Sequence, residues 1–169
     1  MTSTVENEST LLADCRRLLA QADRPRRRLV LAAATVMVLV GVFLRFWAPT
    51  ALWLDETISV NIARLPIAQI PQALSHDGAP PLYYFMLHVW MLAFGQSDLA
   101  VRSLSGLISV ATLPLFWTAG KRLGGRTTAW AAFALGVTSP FAIDYATNAR
   151  MYSLMILWSL LGFIVVSRA

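Results

Sequence analysis

From Leu29 to Leu44 the chain carries no charged residue at all. A helix needs about 20 mostly apolar residues to cross the hydrocarbon core of a bilayer. The stretch 29–48 has that length, with Arg45 and Trp47 at its far end, where snorkelling and the aromatic belt favour them. Further apolar runs follow at about 99–120, 127–143 and 151–166. Composition agrees, since 57% of residues are hydrophobic and 14% charged, against about 45–50% and about 25% in a soluble domain. The expected fold is therefore an all-α integral membrane protein. It has about four transmembrane helices, with short juxtamembrane helices in the first outer loop. Disorder does not fit this apolar content, and a disulfide scaffold does not fit a single cysteine, Cys15.

Charge sets the orientation. Arg16, Arg17, Arg24, Arg26, Arg27 and Arg28 precede the first span, and such a basic head stays on the cytoplasmic side. No aromatic residues interleave with these arginines, so nucleic acid is not an expected partner. Residues 1–28 read as a cytoplasmic basic tail with a short amphipathic pattern at Leu11, Leu12, Cys15, Leu18 and Leu19, in which Cys15 reads as an inert thiol rather than a palmitoylation site. No small-residue cleavage site follows the first apolar run, which marks it as an uncleaved anchor rather than a signal peptide. Lys121, Arg122 and Arg126 flank Gly124 and Gly125, so that turn is expected inside as well. The loop 49–98 then lies outside, and the apolar segment 82–94 rests on the outer face. Four crossings, with both termini cytoplasmic in the plasma (inner) membrane, bring Asp55, Glu56, Asp77, Asp144 and Arg150 to one face.

Three groups at that face could carry chemistry. Adjacent Asp55 and Glu56 repel each other at a membrane surface, which raises a carboxylate pKa and suits a general base or a cation site. Acids at a solvated helix N-terminus are the competing explanation. His76 and Asp77 precede a rigid Gly-Ala-Pro-Pro turn that leads into a helix, and they serve a site or simply face water. Arg150 opens the last span on the side where positive charge is disfavoured. Binding of a phosphate or carboxylate competes there with snorkelling or an ion pair to Asp144.

Taken in order, these patterns resemble the amino-terminal part of a GT-C membrane glycosyltransferase. The nearest groups are the bacterial relatives of protein O-mannosyltransferases and aminoarabinose transferases. The resemblance rests on Leu54-Asp55-Glu56 after a first span and on the Gly78-Ala79-Pro80-Pro81-Leu82-Tyr83-Tyr84 turn. It continues through Arg102 opening a span, the turn from Lys121 to Arg126, and Ala149-Arg150-Met151-Tyr152. Ala79 stands where many relatives have His, and Asn148 where many have an acid.

The resemblance implies inverting transfer of a sugar, of the hexosyl or mannosyl type, from a polyprenyl-phosphate donor to an extracytoplasmic acceptor. It implies Asp55 as the base with Glu56 beside it, Arg150 and Tyr152 on the departing lipid phosphate, and His76 and Asp77 along the cleft. Whether a divalent metal joins Asp55 is left open. Family members have many more spans, so residues 29–169 correspond to a partial domain, expected to be inactive alone and completed by a membrane partner. The alternative is a non-catalytic small membrane subunit or a truncated relic. A transporter component ranks last, because its acids would sit deep within spans rather than at their ends.

Overall fold

The computed structural model describes residues 26–75 and 79–167. The chain divides into two compact units, Met1–Leu39 and Val40–Ala169. Most of helix α1 (Arg26–Leu44) belongs to the first, and its side chains there are largely exposed. The second holds the end of α1 and the helices α2 (Leu54–Arg64), α3 (Ile70–Leu74), α4 (Pro81–Phe94), α5 (Asp98–Thr138), α6 (Pro140–Thr147) and α7 (Tyr152–Val166). A 3₁₀ turn, Ile67–Gln69, leads into α3. The fold is all-helical, with no strand among the described residues. By length and composition α1 and α5 are apolar enough to cross a membrane, whereas α4 and α7 are apolar but shorter.

Helical periodicity builds the core. In α2 the buried positions are Glu56, Ser59, Val60 and Ala63, and in α4 they are Tyr83, Tyr84, Leu87 and Met91. Spacings of three, four and seven residues put each set on one helix face. Those faces meet Val101, Leu104 and Ile108 of α5, with Ile70 and Leu74 of α3 closing the cluster. Each fully buried aliphatic or aromatic side chain contributes about 1.5–3 kcal/mol. Punctuation is equally local. Pro81 occupies the first turn of α4, Gly95 (φ 87°) ends it, and the Ser97 hydroxyl accepts the Ala100 N–H at 3.3 Å to cap α5.

Helix α5 is a hairpin rather than a rod. It reverses at Gly124–Gly125, where Gly125 has φ +79°, a conformation that L side chains rarely adopt. Its arms touch at Gly120, where an added Cβ would lie 2.8 Å from the Thr128 carbonyl oxygen and 2.7 Å from the Ala132 Cβ. Trp117 meets Trp130 edge-on across the same seam, with ring centroids 4.4 Å apart. The turn read from Lys121 to Arg126 is therefore present as a physical reversal.

Two expectations are corrected. The apolar run 127–143 is not one helix, because the second arm stops at Thr138 and Ser139 caps a new helix starting at Pro140. Proline has no N–H and its ring clashes with the preceding turn, so the run breaks there. Arg45 does not snorkel. It is 1% exposed and lies inside the second unit. Its guanidinium donates to the carbonyls of Gly41 (2.6 Å), Gly136 (2.5 Å) and Val137 (3.0 Å) and to the Ser109 hydroxyl (3.0 Å).

Candidate functional site

Consecutive residues in a helix are about 100° apart around the axis, so Asp55 and Glu56 at the start of α2 cannot face the same way. Glu56 turns inward. Its Oε2 accepts the Trp53 N–H (2.9 Å) and Arg102 Nη2 (2.6 Å), and its Oε1 accepts Arg102 Nε (2.9 Å) and the Ala149 N–H (2.8 Å). Arg102 also donates to the carbonyls of Thr50 (2.6 Å) and Ala51 (3.1 Å). One buried ion pair thus ties together the segment after α1, the start of α2, the start of α5 and the segment before α7.

Burial alone would raise the Glu56 pKa. The hydrogen bonds from Arg102, Ala149 and Trp53, with the Arg102 charge, outweigh it and hold the carboxyl below its ordinary value. The rise expected from repulsion between neighbouring carboxylates is absent at Glu56, because Asp55 points elsewhere and a guanidinium stands in front.

Asp55 faces out, its side chain 66% exposed, and its Oδ2 meets Arg150 Nη1 at 2.7 Å. The two pairings are coupled by sequence. Glu56 grips the Ala149 backbone, so the next residue, Arg150, arrives opposite the preceding one, Asp55. The competing pairing of Arg150 with Asp144 is not formed; Asp144 instead accepts from the Asn148 side-chain amide at 3.3 Å. The Arg150 guanidinium carbon stands 5.7 Å from the Tyr152 ring centroid, and Tyr152 stacks at a tilt on Tyr145 with centroids 4.9 Å apart. The Arg150 Nε is buried with no hydrogen-bond partner.

These side chains line a cleft of about 540 Å³, bounded by Trp53, Leu54, Asp55, Glu56, Asp144, Tyr145, Asn148, Arg150 and Tyr152. Asp55, Glu56, Arg150 and Tyr152 are thereby brought together from two distant stretches of sequence. His76 and Asp77 lie outside the described residues. Sequence reasoning passed over Tyr145 and the structural part of Arg102, although Arg102 carried a signal as a charge at the start of an apolar run. Among the described residues no three of His, Cys, Asp and Glu converge on one point; Asp55 and Asp144 are the cleft's outward carboxylates.

Compared with known proteins, the chain matches no family model, no curated sequence and no solved structure.

Proposed function

We propose that this cleft is the catalytic end of a lipid-linked glycosyl transfer, in which a sugar passes from polyprenyl phosphate to an extracytoplasmic hydroxyl. The observation that carries the reading is the Asp55–Arg150 pair, an exposed carboxylate against a half-buried guanidinium with an unsatisfied Nε. A guanidinium suits phosphate oxygens, and this one lines the cleft with its Nη1 held by an exposed carboxylate. A phosphate bound at Arg150 competes with Asp55 for the same charge and frees the carboxylate. Asp55 then takes the proton from the acceptor hydroxyl as its oxygen attacks the anomeric carbon. The bond from that carbon to the phosphate oxygen breaks, and the lipid phosphate leaves with its charge on Arg150. Attack opposite the leaving group inverts the configuration. Glu56 has no free lone-pair direction for this work and acts as a positioning residue.

The same reading takes α1, the two arms of α5 and α7 as four crossings of the inner membrane, with the cleft on the outer side. The arm 126–138 and α7 are short for a full crossing and need a locally thin bilayer or neighbouring helices. A membrane partner supplying further helices fits that need.

The test is sugar transfer from a radiolabelled polyprenyl-phosphate hexose in native membranes that contain the chain as the cell produces it. Removing a general base costs about 10²–10⁴-fold, so Asp55→Asn is expected to lose at least a hundredfold in rate. Transfer by Asp55→Asn at close to the normal rate overturns the assignment. No transfer by the wild type, in membranes where the protein is intact, favours the non-catalytic subunit.

A further inference from the structure

A second cleft, of about 590 Å³, lies near the reversal of α5, lined by Pro114, Trp117, Thr118, Lys121, Arg126, Trp130 and Phe133. Its two walls follow from helical spacing. Residues 114, 117, 118 and 121 share one face of the first arm, and residues 126, 130 and 133 share one face of the second. The hairpin sets these faces against each other, with both cations at the tip and the aromatic rings further from it. Trp117, Trp130 and Phe133 stand edge to face, at centroid distances of 4.4, 6.5 and 6.3 Å. Trp130 remains 54% exposed.

The cations here are uncommitted. Among the described residues neither Lys121 nor Arg126 forms a hydrogen bond or ion pair. Their neighbour Arg122 is committed, donating to the Ile164 carbonyl and, at 3.1 Å, to the Ser167 hydroxyl, which fastens the tip to the end of α7. The described acids, Asp55, Glu56, Asp98 and Asp144, belong to the start of α5 and to the first cleft. At 1.5 Å per residue Asp98 lies about 35 Å along the first arm from Lys121, and Glu56 lies against Arg102 near the same end. Among the described residues no carboxylate neutralises this pocket.

We infer that the pocket binds the phosphodiester headgroup of an anionic phospholipid, with Lys121 and Arg126 on the phosphate and an acyl chain along Trp117, Trp130 and Phe133. The occupant must be anionic at one end and apolar at the other. Free phosphate would use the rim and leave the aromatic wall bare. An aromatic wall alone would also take a choline group, but two cations at the mouth repel it. Basic pockets between membrane helices take anionic headgroups in this manner, and tryptophan favours the headgroup level. The inference is independent of the transferase reading and of Asp55 and Arg150.

The experiment reconstitutes the whole chain in phosphatidylcholine vesicles and follows quenching of tryptophan fluorescence. The quencher is brominated phosphatidylglycerol or, in parallel, brominated phosphatidylcholine. Quenching is expected to saturate at about tenfold lower content of the anionic lipid. The double variant Lys121→Gln with Arg126→Gln is expected to lose that preference while keeping its helical circular dichroism. Arg64→Gln, an exposed cation on α2, is expected to keep both. A preference that survives in the double variant overturns the site. Millimolar inorganic phosphate that abolishes the preference assigns the rim to free phosphate and overturns the lipid. Equal quenching by the two lipids, or by neither, overturns it as well.

Discussion

Glu56 and Arg102 have side chains only 2% and 6% exposed, and a charge so buried is stable only with its partner present. Breaking such a pair by removing one member costs about 3–5 kcal/mol, because the other charge is left uncompensated. Glu56→Gln is therefore expected to destabilise the second unit by about that amount, measured by thermal unfolding in detergent. The pH dependence has a definite sign. The folded-state pKa of Glu56 lies below its ordinary value of 4.5, so its contribution is complete above that value. It is lost as the pH falls from there through the folded-state pKa. Wild-type stability is expected to drop in this acid range, and Glu56→Gln to lack this component of the drop. An unaltered pH profile in the variant would remove the ion pair from the account. Adjacent carboxylates after a span were legible in the sequence. Their division of labour was not, because it depends on where Arg102 and Ala149 return to the start of α2.

At the scale of the element, Arg45 shows what helix ends require. The last turn of any helix leaves carbonyls without N–H partners. Arg45 follows α1 directly and donates to Gly41 of that helix and to Gly136 and Val137 near the end of the second arm of α5. A cation there also meets the negative ends of two helix dipoles. Arg45→Leu keeps much of the volume and leaves these carbonyls buried and unpaired, each costing about 1–3 kcal/mol. A loss of at least about 3 kcal/mol in unfolding is expected, with Arg45→Lys intermediate; an Arg45→Leu protein as stable as the wild type would refute the double cap. Helix existence and the hairpin turn were readable from apolar runs and from Gly124-Gly125. The burial of Arg45 was not, since it requires the second arm to end beside Arg45. Ser139-Pro140 carried the signal for that stop, but a long apolar run masked it.

Across the second unit, the described carboxylates lie toward the start of the first arm of α5, where Arg102 and Arg150 pair with Glu56 and Asp55, whereas Lys121, Arg122 and Arg126 at its end have no described carboxylate beside them. The tip gathers three cations without described partners among the carboxylates, and the positive-inside tendency makes it the end expected in the cytoplasm. The two clefts differ in the same way, one carrying an ion pair of opposite charges and the other, among the described residues, lined by cations without an acid. Orientation then follows from labelling. In a background where the single cysteine, Cys15, is replaced by serine, Gln72→Cys and Leu123→Cys each place one thiol at an exposed position on opposite sides of the proposed bilayer. A membrane-impermeant maleimide applied to intact cells is expected to label Gln72→Cys, and to reach Leu123→Cys only after permeabilisation. The reverse pattern would turn the molecule over, putting the Asp55–Arg150 cleft in the cytoplasm, where an extracytoplasmic acceptor never meets it. Labelling of both from outside would deny that the first arm of α5 crosses at all. In that case the apolar face of the first arm of α5 would need protein, not lipid, to cover it, and the subunit reading would replace the transferase.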